Sequence, residues 1–219
     1  MSEQLRSSVP KEPTGRERLN KATKLNNSNM GLEEYMYYGD IKIDDLKGDV
    51  LDLGSGDLDR FSREATRHGI KVTSLDPHLV KQSQRNQVKT GSHYEFPWHS
   101  DLPWTKNSVA GLAQELPFKA ESFDTIVASA SAPGYLDPRD YDIFLKETNR
   151  VLRPGGKAYL FPLFEVPNEP EAPYNEQKFL SSLKQSGLKY ALKDYQPEGS
   201  PITYRVAILS KPESPGQSN

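Results

Sequence analysis

The chain contains no cysteine. That excludes a disulfide framework, a thiol nucleophile, a zinc–thiolate site and an iron–sulfur cluster. Apolar residues are scarce: counted with Gly and without Tyr they make up about 37% of the 219 residues, against ~45–50% in typical globular chains. No apolar run approaches the ~20 residues needed to cross a bilayer, so no membrane partner is expected. Neither sign of charge dominates. Lys and Arg number 28 against 30 Asp and Glu, a net charge of −2, which is not the basic footprint of a nucleic-acid binder. The first residues lack the charged-then-apolar pattern of an export signal, so a cytoplasmic location is the expectation. No metal site is expected either.

The apolar deficit has a location. In residues 1–29 only Met1, Leu5, Val9, Leu19 and Leu25 are strongly apolar, and Lys211–Asn219 has no strongly apolar residue. Both are read as flexible ends flanking one domain over 30–210. Six Lys and Arg against three Asp and Glu in residues 1–25 make the arm mildly basic, which fits a solvated tail.

From residue 49 onward, strand-like and helix-like stretches alternate. D-V-L-D-L (49–53), K-V-T-S-L (71–75), V-A-G-L-A (109–113), D-T-I-V-A-S (124–129) and K-A-Y-L-F (157–161) read as strands, and two late strands follow at 189–195 and 202–210. Between them, residues 58–68 have helical spacing with Asp57 placed to cap the start. Residues 79–89 read as a weak polar helix. A helix around Phe144–Leu152 closes before R-P-G-G, and another covers 175–186. The expectation is an α/β, Rossmann-like, seven-stranded, mostly parallel sheet with one antiparallel strand and helices on both faces. In such sheets ligands bind beyond the carboxyl ends of the strands, where the strand order reverses.

V-L-D-L-G-S-G-D-L (50–58) sits at the end of the first strand. Gly54 and Gly56 allow a tight turn and close backbone approach to a ligand. Asp52 at the strand end would repel a pyrophosphate, and Asp59 stands where a dinucleotide fingerprint needs its third glycine. A nicotinamide-dependent oxidoreductase is thereby disfavoured. Asp76, twenty residues beyond Gly56 in S-L-D-P, can accept hydrogen bonds from ribose hydroxyls. The plainer alternative is that Asp52 and Asp76 cap loops.

These blocks, with A-Q-E-L-P-F-K-A-E-S-F-D-T-I-V (113–127) and R-V-L-R-P-G-G-K (150–157), resemble the class I S-adenosylmethionine-dependent methyltransferases of the methyltransferase type 11 kind. The resemblance implies that S-adenosylmethionine is the cofactor. The loop Asp52, Gly54, Ser55 and Gly56 would hold its methionine part and Asp76 its ribose. Ala113 and Gln114 would border the adenine, and the segment around Ser129 would close the site. Two positions depart from the family pattern. Leu58 stands for the usual third glycine, and Leu112 for the Asp that commonly precedes the adenine-bordering Ala. Losing one neutral hydrogen bond of ~0.5–1.5 kcal/mol would weaken cofactor binding several-fold without abolishing it.

No catalytic residue is nominated. An aromatic insertion near 90–107 (Tyr94, Phe96, Trp98, Trp104) offers Trp98 and His99 as acceptor-site candidates, or else an extended segment whose rings cover the sheet edge. Tyr35, Tyr37 and Tyr38 in E-E-Y-M-Y-Y-G either face the site or staple that segment to the core, and Tyr37 is taken as a candidate. Tyr135 in A-S-A-S-A-P-G-Y-L is another. The expected function is methyl transfer to a small-molecule acceptor. The alternative is a catalytically weak or inactive methyltransferase-like binding or scaffolding protein. Oligomeric state is not legible.

Overall fold

The computed structural model describes residues 30–56, 58–77, 79, 107–163 and 174–213. The expected helix at 79–89, the aromatic stretch around Trp98 and His99, and both tails lie almost wholly outside the described residues.

Helix α1 (Leu32–Gly39) comes first, followed by a short 3-10 turn and strand β1 (Asp49–Leu53). Then come α2 (Arg60–Thr66), β2 (Lys71–Leu75), β3 (Ser108–Val109), β4 (Phe123–Ser129), α3 (Tyr141–Val151), β5 (Leu152–Phe161), α4 (Glu176–Gln185), β6 (Lys189–Tyr195) and β7 (Tyr204–Ser210). The strands form one sheet in the order β3-β2-β1-β4-β5-β7-β6. Pairing is parallel from β3 through β5. β7 runs antiparallel to both β5 and β6, so among the described strands it alone is reversed.

The pleat divides the apolar residues into two clusters, because successive side chains on a strand point to opposite faces. Leu51 and Leu53 of β1, Ile126 and Ala128 of β4, and Leu160 of β5 join Phe144, Leu145 and Val151 of α3 and Phe179 and Leu183 of α4. Val50, Val127, Tyr159 and Phe161 join Leu32 and Tyr35 of α1 and Phe61 and Ala65 of α2. Each fully buried Leu or Phe contributes ~1.5–3 kcal/mol relative to exposure. The core is therefore ordinary where the sheet is.

Several local expectations shift. α2 starts at Arg60 with Asp59 at its N-cap, two residues later than the sequence reading. R-P-G-G is not a connection before the last central strand but lies inside β5, which begins at Leu152. Gly155 has φ +76°, its N–H donates to the Lys211 carbonyl at 3.0 Å, and the Lys211 N–H donates back to the Gly156 carbonyl at 3.0 Å. Two arginines of that block are structural. Arg150 donates to the Phe118 and Leu116 carbonyls at 2.7 and 2.9 Å while paired with Glu147, and so fixes the L-P-F turn. Arg153 bridges Asp49 and Asp124 at the amino ends of β1 and β4, far along those strands from their carboxyl ends. Of the expected 109–113 strand only Val109 lies in β3. The chain then turns tightly, with the Glu115 N–H donating to the Leu112 carbonyl at 3.1 Å.

Candidate functional site

The strand order reverses between β1 and β4, and the loops leaving these two strands diverge there. Gly54 and Gly56 both take left-handed backbone conformations, φ +76° and +75°, which glycine reaches without steric cost. The turn they make folds back on the end of β2. The Gly54 N–H donates to the Leu75 carbonyl at 2.8 Å, and the Gly56 N–H donates to Asp76 Oδ2 at 3.0 Å. From the other side, Ser131 closes on the loop, donating its hydroxyl to the Leu53 carbonyl at 2.6 Å. A Cβ on Gly54 would lie 2.3 Å from the Ser131 Cβ. Nothing larger than glycine fits.

Asp52 is wholly buried beneath this turn. Its Oδ1 accepts from the Tyr35 hydroxyl at 2.7 Å, while its Oδ2, also buried, has no hydrogen-bond partner among the described residues. Burial raises the Asp52 carboxyl well above the ordinary carboxylate range. The Tyr35 hydrogen bond opposes that rise, and the neighbouring charges of Asp59 and Asp76 add to it. An orphaned carboxylate oxygen in a dry site is costly.

Tyr35 reaches Asp52 because α1 is strapped across the site. Arg60 of α2 pairs with Glu34 at 2.6 Å and Glu64 at 2.7 Å, and Glu64 accepts from the Leu32 N–H at 2.8 Å. The Tyr35 ring stacks on Phe61 at 4.1 Å and meets Phe161 edge-on at 5.6 Å. Asp59 is buried at the start of α2 in a left-handed conformation, φ +53°. It accepts from the hydroxyls of Ser74 and, at 2.9 Å, Ser108, thereby tying α2 to β2 and β3.

The sequence candidates divide accordingly. Asp52, Gly54, Ser55, Gly56 and Asp76 converge on one turn. Ala113 and Gln114 form the tip of the turn after β3, where the Gln114 amide donates to the buried Asp140 at 3.1 Å. Ser129 is buried at the end of β4, its hydroxyl 3.3 Å from the Met30 sulfur, so its side chain meets the segment leading into α1. Tyr135 is half-buried in the loop after β4, its N–H bonded to the Ser131 carbonyl. Tyr37 is 40% exposed and packs edge-on against Tyr38, which meets Tyr204, on the side of α1 away from Asp52. Trp98 and His99 lie outside the described residues.

Sequence reasoning weighed Tyr35 and did not select it. One signal was available: with helical spacing, Leu32, Tyr35 and Gly39 share a face, and these are the residues α1 buries. Asp140, preceding α3, had no signal. Among the described residues no group of three or more His, Asp or Glu is arranged to hold a metal, and no helix is long and apolar enough to cross a membrane.

The methyltransferase-domain family profile matches residues 51–160. A demethylmenaquinone methyltransferase of Streptomyces griseus is 33% identical over 129 residues, 53% of this chain and 54% of the relative; the match thus spans about half of that protein. Among solved structures, a methyltransferase from Methanosarcina mazei superposes with TM-score 0.51 at 19% identity, covering 85% of this chain and all of its own. A TehB-like methyltransferase from Corynebacterium glutamicum gives 0.53 at 20% identity, covering 80% and 88%. The chain belongs to the class I S-adenosylmethionine-dependent methyltransferase family, whose methyl donor is S-adenosylmethionine.

Proposed function

We propose that this protein transfers the methyl group of S-adenosylmethionine to a small-molecule acceptor. The observation that carries the reading is the buried Asp52 carboxylate, one oxygen held by Tyr35 and the other unpartnered, beneath a glycine turn that allows close backbone approach. The residues fit the cofactor's chemistry. The cofactor brings a sulfonium and an ammonium, and Asp52 Oδ2 would accept from the ammonium. Asp76 would accept from the ribose hydroxyls while keeping its bond from the Gly56 N–H. Ala113 and Gln114 would border the adenine, and backbone groups near Ser129 would close the site. When bound, the cofactor supplies a methyl group already activated on sulfur. The chain's task is then to align the acceptor and exclude water more than to move protons. Tyr135 would line the acceptor space, with Trp98 and His99 as further candidates; Tyr37 would do so only if its ring left Tyr38.

The net charge of −2 supports a small organic acceptor over nucleic acid, and the Streptomyces relative is named for demethylmenaquinone. In the same reading, α1 and α2 cover one face of the sheet and α3 and α4 the other, which the alternation of strand residues between the two apolar clusters supports.

A second reading, a binding protein with little turnover, is favoured by Leu112 in place of the family's Asp and by the commitment of the Gln114 amide to Asp140. Melting curves separate the readings from each other and from error. S-adenosylmethionine or S-adenosylhomocysteine should raise Tm by mass action, and NADH should not. No shift with either methyl-donor form would sink both readings. A shift without methyl consumption across a broad panel of small acceptors would leave the second.

A further inference from the structure

We propose that Tyr35 is a positioning residue for the cofactor: its hydroxyl fastens one oxygen of Asp52 and so presents the other, as a carboxylate, to a cationic group of the ligand. This rests on the functional reading above and makes α1 part of the cofactor site.

The placement of Tyr35 is over-determined. Its ring stacks on Phe61 and abuts Phe161. One turn later Gly39 lies so close to the Phe161 ring that a Cβ there would fall 2.8 Å from it. The Glu34–Arg60–Glu64 pairs hold the helix start. With the ring fixed, the hydroxyl is delivered to Asp52 Oδ1 at 2.7 Å, and Oδ2 keeps its lone pairs unused. A tyrosine serving only to fill space would not need a buried hydroxyl, because phenylalanine would fill the same volume without desolvating an O–H.

The groups acting on Asp52 come from three elements: Tyr35 on α1, Asp59 at the start of α2 and Asp76 at the end of β2. The two acids and burial all favour the protonated carboxyl, and the Tyr35 hydrogen bond alone among these favours the ionised one. Tyr35 itself remains the donor, since burial and the same three acids push its phenol well above the ordinary tyrosine range. Protonated at Oδ2, Asp52 has lost the charge that attracts an ammonium group. The tyrosine therefore sets both the direction and the charge of the receiving oxygen.

The test is calorimetric titration of the full chain with S-adenosylmethionine between pH 5.5 and 9, comparing wild type, Tyr35→Phe and Asp52→Asn. The ligand's own amino group titrates equally in all three experiments and cancels in affinity ratios. Tyr35→Phe keeps the ring contacts, and its melting curve checks the fold. It should bind about tenfold more weakly than wild type at low pH, equivalent to ~1.4 kcal/mol. The ratio should close towards twofold or less as pH rises and Asp52 ionises in both. Asp52→Asn should bind weakly, and with no protein-derived pH dependence. A Tyr35→Phe defect that stays constant across pH, or is below twofold throughout, overturns the proposal. Absence of binding by the wild type at every pH overturns the functional reading instead.

Discussion

Replacing Asp52 by Asn should stabilise the unliganded protein while weakening its response to the cofactor. The shape is kept: Asn Oδ1 can still accept from the Tyr35 hydroxyl, which sits 2.7 Å from the aspartate oxygen. What is lost is a buried negative charge facing Asp59 and Asp76. The effective cost of such a charge is several kcal/mol, and the substitution leaves instead a buried amide donor lacking a partner, at ~1–3 kcal/mol. The net gain at pH 8 is on the order of 1–3 kcal/mol, or roughly 2–12 °C in Tm for a chain of this size. The sign with pH follows from linkage. Asp52 has a raised carboxyl in the fold, so it favours the folded state at low pH. That contribution is lost as pH rises from the ordinary carboxylate value of about 4 through its raised folded value. Asp52 is the titrating group that the substitution removes, so the Tm difference should be small at pH 5 and grow towards pH 8. With S-adenosylmethionine at a hundred times its Kd, the wild type should gain ~2.7 kcal/mol, about 5–10 °C, and the variant less than half of that. Scanning calorimetry across this pH range, with and without ligand, gives all four curves. A variant that melts below wild type at pH 8, or keeps the full ligand shift, would refute the reasoning.

Other substitutions probe the frame. Gly54→Ala forces a left-handed alanine, ~1–2 kcal/mol, into a space where its Cβ would fall 2.3 Å from that of Ser131, adding ~1–3 kcal/mol; its Tm should fall by at least ~4 °C and ligand binding should weaken. Arg150→Ala removes the clamp on the Leu116 and Phe118 carbonyls and should cost ~1–2 kcal/mol in urea unfolding, since water replaces part of those bonds. Arg205→Ala, by contrast, breaks exposed pairs with Asp194 and Glu176 and should cost no more than ~1 kcal/mol. Equal effects of the two arginine substitutions would contradict the structural role assigned to Arg150.

Much of the frame was legible because it is written in local chemistry. The apolar runs of β1, β2 and β4 and the helical spacing of Phe144, Leu145, Thr148 and Val151 declare themselves by period, and Gly54, Gly56, Asp52 and Asp76 by their order along the chain. The misreadings share a different cause. R-P-G-G looks like a break because Pro and Gly punctuate most chains, yet the Gly155 N–H and the Gly156 carbonyl both bond to the backbone of Lys211, far downstream in the sequence. V-A-G-L-A looks like a full strand, but among the described strands β3 stands at the sheet edge with β2 as its neighbour, and the chain turns away after Val109. Tyr35 and Tyr37 are both tyrosines on one short helix. Helical spacing puts Tyr35 on the face shared with Leu32 and Gly39, and the tertiary placement of α1 against Phe61 and Phe161 turns that face towards Asp52.

The most direct test of the account is a titration of the full chain with S-adenosylmethionine, set beside the same titration of Asp76→Asn. Asparagine can still accept from the Gly56 N–H, so the turn is retained while the charge offered to the ribose hydroxyls is removed. The account predicts saturable binding of one cofactor per chain in the wild type, weakened at least tenfold by the substitution, as expected when hydrogen bonds to a charged group worth ~1.5–3 kcal/mol are degraded. No binding by the wild type, or equal affinity in the two proteins, would contradict it.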